Sequence, residues 1–146
     1  MSEQPYSTLI SFIVRSLRVL KIVDKNIIIN RLKDALKNVY DPEIPINIWD
    51  LGLIYGIDVD DFGNVRIKMT LTAPGCPIVS FLLHQVQESV YGALADIKDI
   101  NEVNIDLVFD PPWDPTRMTE EGRKRFKELF GYDILEFYSR KNLKKA

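Results

Sequence analysis

The chain has 146 residues, of which 46% are hydrophobic and 27% charged, a balance that suits one compact domain and excludes a disordered chain or two full domains. A single cysteine rules out an intramolecular disulfide, a one-chain zinc knuckle and a CxxC redox site, and it fits a reducing, cytoplasmic setting. The net charge of -2 hides a partition: residues 1–26 carry four bases and two acids, residues 27–139 carry 11 bases and 19 acids, and residues 140–146 carry four bases. An acidic body between basic ends argues against nucleic acid as the main partner, since neutralising phosphates needs clustered Lys and Arg.

In chain order, the first apolar stretch runs from Leu9 to Val23 and is broken by Arg15, Arg18 and Lys21. It falls short of the ~20 apolar residues of a spanning helix, so no membrane span is expected. The bases follow the first apolar run instead of preceding it, which argues against a signal peptide. Their spacing forms one helical stripe, and residues 1–26 are predicted to be an amphipathic helical extension that packs on the domain or on a partner. Ile28, Leu32, Ala35, Leu36 and Val39 recur at helical spacing until Asp41-Pro42, which predicts a helix over 27–40.

Two alternating runs follow, Leu53 to Val59 and Val65 to Leu71, joined by the turn-like Asp61-Phe62-Gly63-Asn64, and they read as a hairpin with one buried face. Ile78, Val79, Leu82, Val86, Val90 and Leu94 have helical period, and Val103, Ile105, Leu107 and Phe109 alternate again. A last helix starts near Thr119 with Glu120 and Glu121 in its first turn, and residues 132–146 are expected to form a solvated basic tail. The order α-β-β-α-β-α over 27–131 predicts a two-layer α/β (α+β) domain, with helices on one face of a small, mixed three-stranded sheet. A helical crossover makes the second and third strands parallel, so the loops that leave them emerge at one edge, where the loop entering the first strand also ends.

Those three loops hold the unusual residues. Pro77 suits the first position of a helix, which puts Cys76 at or beside the cap, where free N–H groups and the helix dipole favour a thiolate. A free cysteine is equally often a small buried hydrophobe. Thr70 and Thr72 lie on the polar face of the strand that leads to it. The first loop gathers Asp41, Glu43 and Asp50 between two prolines, either as turn-capping or solvated acids or as ligands. The third places Trp113 among Pro111, Pro112 and Pro115, either as a plug over the sheet edge or as an apolar partner anchor beside the thiol.

Three strings occur in this order: Asp41-Pro42-Glu43 to Asp50-Leu51-Gly52-Leu53-Ile54-Tyr55, Thr70-Leu71-Thr72-Ala73-Pro74-Gly75-Cys76-Pro77, and Asp110-Pro111-Pro112-Trp113. Together they resemble the PaaD-like and SufT family of iron-sulfur (metal-sulfur) cluster assembly proteins, related to the eukaryotic cytosolic iron-sulfur targeting factor. The resemblance implies a maturation factor that carries or targets clusters to client apoproteins, not an enzyme. It also implies that Cys76 is the reactive, metal-binding residue and that Asp41, Glu43, Asp50, Thr70 and Thr72 are polar positions around it. A P-loop cluster carrier of the ApbC/Mrp type is the partner it suggests beside client apo iron-sulfur proteins. Many relatives have a hydroxyl residue where this chain has Ala73, and Ser or Thr where it has Asp114.

Chemistry limits how a cluster is held. Four thiolates are the usual ligand set, and this chain has one cysteine and one histidine, so a cluster would be a transient one shared between chains in a homodimer. Otherwise the protein binds no cofactor and works as an adaptor. A different class of reading makes Cys76 the nucleophile of a thiol-dependent redox protein. A Cys-His pair is disfavoured, because His84 lies eight residues along the helix, ~12 Å away at ~1.5 Å per residue. No Walker A string is present, so any nucleotide-driven step belongs to another protein.

Overall fold

The computed structural model describes residues 9–10, 23–73 and 79–145. Asp24 opens the domain by accepting the Ile27 N–H at 3.3 Å, and helix α1 follows over Lys25–Leu36, burying Ile28, Leu32 and Leu36 at successive turns. The helix stops short of the predicted residue 40. Val39 is buried as expected, but its carbonyl accepts from Ile48 N–H at 2.8 Å and Tyr40 bridges to Asn47, so the apolar spacing continues into a bridge and not into helix.

Strands β1 (Ile54–Val59) and β2 (Asn64–Met69) form the expected antiparallel hairpin. Asp60 organises its turn, its carboxylate accepting the N–H groups of Phe62 and Asn64, each at 2.9 Å. Helix α2 (Val79–Leu94) crosses over to β3 (Glu102–Leu107), which pairs in parallel with β2 to give the order β1-β2-β3. Val65, Ile67 and Met69 of β2 join Ile28, Leu32 and Leu36 of α1 and Leu82, Val86 and Val90 of α2 in one core, while Arg66 and Lys68 stay exposed on the other face. The alternation of β2 and the heptad-like spacing of α2 thus encode two halves of the same interior. Deleting a fully buried side chain there, such as Leu32, costs about 2–5 kcal/mol.

A short 3₁₀ helix (Pro115–Arg117) leads to α3 (Glu120–Phe130), which begins at Thr119 as predicted, with the Thr119 hydroxyl accepting from Gly122 N–H at 3.0 Å. Gly52 carries φ of +75°, and a Cβ there would lie 2.1 Å from the Arg117 carbonyl oxygen, so this glycine lets the 3₁₀ turn close over the entrance to β1. Where a solvated tail was expected, residues Ile134–Leu143 form helix α4, capped by Asp133 and without a buried residue. Helix formation there follows from the cap and from the opposing charges at its ends, Glu136 in the first turn and Arg140 and Lys141 in the last. Of the predicted N-terminal extension, Leu9 and Ile10 are helical and more than half exposed; residues 1–8 and 11–22 lie outside the described residues. Among the described residues no helix is long and apolar enough to cross a membrane.

Candidate functional site

Asp41 is 5% exposed, and the cause is local. Its Oδ1 accepts the N–H groups of Glu43 and Ile44 at 2.8 and 2.9 Å, while its own N–H donates to the Ile46 carbonyl at 3.1 Å. The Pro42–Pro45 segment is thereby wound around the carboxylate, which is the capping behaviour that acids in proline turns commonly show. The same winding brings Asp41, Pro42 and Glu43 against the end of β2. Together with Leu71, Thr72, Ala73, Val79 and Leu82 they line a small cavity of about 20 Å³, room for one water-sized or sulfur-sized atom.

Cys76 lies outside the described residues, as do Pro74, Gly75, Pro77 and Ile78. The described residues on either side of this stretch, Ala73 and Val79, both line the cavity. Thr70 adds a second feature. It is 1% exposed, its N–H donates to the Leu53 carbonyl at 2.8 Å, and its buried hydroxyl has no hydrogen-bond partner among the described residues. The expected polar face of β2 therefore ends at Lys68. Beyond the last strand residue, Met69, the chain leaves strict alternation and buries Thr70 and Leu71 in succession.

Asp50 goes elsewhere. Its two oxygens accept from Asn47 Nδ2 and from the Thr119 hydroxyl, each at 2.7 Å, and its carbonyl accepts Thr119 N–H at 2.9 Å. The carboxylate joins the first loop to the cap of α3, in a cleft with Tyr40, Ile46, Asn47, Glu121 and Arg125. Trp113 is also away from the described cavity lining: its indole N–H donates to the Leu51 carbonyl at 2.6 Å, and the ring packs on the core. Tyr55 ties the same loop down by donating its hydroxyl to the Pro111 carbonyl at 2.8 Å. These two bonds tie the third loop to the entrance of β1. Asp114 caps the 3₁₀ turn, its Oδ1 accepting from Thr116 N–H at 2.8 Å and from the Thr116 hydroxyl. It thus performs the capping task to which Ser and Thr are also suited, which accounts for an acid at this position.

Of the predicted site, the structure brings together Asp41, Glu43 and Thr72, buries Thr70 next to them in the chain, and separates Asp50 and Trp113. The apolar lining, Leu71, Val79 and Leu82, escaped the sequence reading as site residues because their periodicity marks them only as core. His84 is exposed on α2 and 3.3 Å from Glu88, one turn along the same helix. Among the described residues no group of three or more His, Cys, Asp or Glu side chains is placed to hold a metal ion.

A family model described as iron-sulfur cluster assembly protein matches residues 29–107. The chain is similar to an Fe-S protein maturation auxiliary factor of Porphyromonas gingivalis, 48% identical over 86 residues that span 59% of this chain and 78% of the relative. A 76-residue stretch is 34% identical to an iron-sulfur cluster carrier protein of Mycobacterium bovis and covers 52% of this chain but 19% of that longer one. Among solved structures, a conserved hypothetical protein of Thermotoga maritima aligns with a TM-score of 0.55 at 40% identity, over 73% of this chain and 96% of that one.

Proposed function

We propose, starting from the premise that the chain belongs to the iron-sulfur cluster assembly protein family, that it is a non-enzymatic maturation factor acting through Cys76 on clusters destined for client apoproteins. The observation that carries this reading is the cavity between Asp41, Glu43 and Thr72, because both described neighbours of the stretch bearing Cys76 line it. Two residues lie between Cys76 and Ala73 and two between Cys76 and Val79, so three Cα–Cα steps, about 11 Å, bound its distance from either anchor. In this reading the polar residues of the cavity lining, Asp41, Glu43 and Thr72, are the partners of the Cys76 thiol.

The size of the cavity bears on the cargo. A cavity of about 20 Å³ suits a single sulfur atom, and the reading places a cluster at its mouth with the thiolate as one ligand. One cysteine per chain leaves the other positions to a second chain's Cys76, to a small thiol or to carboxylate oxygens. Ligation of that kind is weak, which suits cargo that must be passed on. The Mycobacterium bovis relative supports a cluster carrier as the partner: a segment like this domain forms 19% of one longer chain bearing the carrier name. A domain joined covalently to a carrier in one protein is a reasoned candidate to dock on a separate carrier in another.

The test is anaerobic reconstitution with ferrous iron and sulfide on wild type and Cys76→Ser, followed by visible absorption and by transfer to an apo-ferredoxin. The expected outcome is a chromophore that depends on Cys76 and passes to the acceptor, with equal melting temperatures for the two proteins. No chromophore in either protein would overturn the carrier role in favour of an adaptor that brings client and carrier together. A large loss of stability in Cys76→Ser would return the cysteine to the core.

A further inference from the structure

The C-terminal helices carry a surface for which cluster handling at Cys76 has no use. Phe126, 5% exposed, anchors a run of rings: the Phe130 centroid lies 4.4 Å from it, Tyr132 meets it edge-on at 5.4 Å, and Phe137 follows Tyr132 at 5.6 Å. Phe130, Tyr132 and Phe137 are 45%, 45% and 57% exposed, so they form a connected aromatic surface and not the scattered single residues that need no explanation. The Arg123–Asp133 ion pair, at 3.0 Å, fixes the corner between α3 and α4 beneath it. The surface lies beyond residue 107, where the family match ends.

Charge selects the occupant. Residues 120–145 hold eight bases and five acids, a net +3, whereas residues 23–119 hold eight bases and 15 acids, a net -7. Arg123 and Arg125 are neutralised by Asp133 and Glu128, but Lys124, Lys127, Arg140, Lys141, Lys144 and Lys145 have no ion-pair partner among the described residues. Helical spacing places Lys127 one turn before Phe130, and Arg140 and Lys141 one turn after Phe137. We propose that this cation-rimmed aromatic surface docks an acidic segment of a partner protein that presents two large apolar side chains one helical turn apart. Apolar anchors match the rings, and carboxylates match the unpaired cations. A long polyanion fits less well, because any stretch of it that left the patch would face the acidic body.

The probe is a fluorescein-labelled synthetic helix with Phe at positions i and i+4 between glutamates, titrated by anisotropy into the full chain, with a counterpart in which every Glu is Lys. The expected result is saturable binding of the acidic peptide, at least ten-fold weaker for Phe137→Ala and for Lys141→Glu, and none of the basic one. Amide shift changes on binding should fall within residues 126–145. Both substituted side chains lie on a helix without buried residues, so both variants should keep the wild-type melting temperature. Equal affinity in all three proteins, or no binding, overturns the proposal. So does a tighter, variant-sensitive affinity for phosphatidylcholine–phosphatidylserine vesicles or for a single-stranded oligonucleotide, or a dimer that Phe137→Ala dissolves. Cys76→Ser should bind the peptide like wild type, which separates this outcome from the fate of the cluster reading.

Discussion

Thr70 and Asp41 illustrate opposite uses of a buried polar group. Asp41 is satisfied by two backbone N–H donors and shapes its loop, whereas the Thr70 hydroxyl is buried with no partner among the described residues. An unsatisfied buried hydroxyl costs about 1–3 kcal/mol, a strain that a functional position sustains and a purely structural one has no reason to keep. Thr70→Val replaces that hydroxyl with a methyl group of similar size. Its urea midpoint is expected to equal or exceed that of wild type, by up to about 1–3 kcal/mol of stability, while cluster transfer falls. A destabilised variant with intact transfer would show the hydroxyl to be part of the frame. Asp41 and Asp50 look alike in the sequence, two acids in one proline turn. Long-range packing separates them, because Asp50 meets Thr119 from 69 residues away.

Among the elements, the α3–α4 corner depends on one carboxylate. Asp133 accepts Leu135 N–H at 2.9 Å to cap α4 and pairs with Arg123 at 3.0 Å. The capping N–H first, and the Arg123 guanidinium with it, hold its carboxyl below the ordinary carboxylate range. A carboxyl lowered in the folded state contributes stability above its unfolded value and loses it as pH falls through the folded one, so the contribution is complete at neutral pH and fades below about pH 4. Asp60, through its bonds with Asn64, and Asp96, through Arg31, act in the same direction. Asp133→Asn keeps a cap acceptor and removes the titrating charge. The protection factors of the amides across residues 134–143 are therefore expected to fall less between neutral pH and about pH 3 in the variant than in wild type. Identical acid profiles would show that the corner does not depend on this group. The sequence signalled the start of α3, Thr119 with two acids after it, whereas the basic run at the end of α4 reads as a solvated tail and the Asp133 cap emerges only in the structure.

At the scale of the whole molecule, one thiol per chain makes the mode of cluster binding a question of stoichiometry. If two Cys76 thiolates share one cluster within a dimer that forms before loading, mixing wild type with Cys76→Ser before reconstitution should lower the iron retained as the square of the wild-type fraction. An equal mixture would then hold about a quarter of the wild-type amount, instead of the half expected for independent chains. Iron analysis after gel filtration distinguishes the two, and a linear dependence would rule out sharing within such a preformed dimer. The charge partition acts at the same scale: an acidic body and a basic C-terminal end give the molecule two surfaces for two kinds of partner.

Periodicity determined the order of elements from α1 to α3 and the faces of α1, β2 and α2, because burial imposes period 3.6 or 2 on any chain that forms such a core, and the helical crossover then made the sheet mixed. The three motifs, in their order, identified the family, since each is a loop string that packing does not dictate. Which loop residues share a cavity was decided by the tertiary structure. It set Asp41, Glu43 and Thr72 against Val79 and Leu82, turned Asp50 toward Thr119 and tied Trp113 to Leu51. It also joined Phe126, Phe130, Tyr132 and Phe137 into one surface across a helical corner. The physical reason is that periodicity reports which face of an element is buried, whereas a site depends on distances between elements, and those follow from how the whole chain packs.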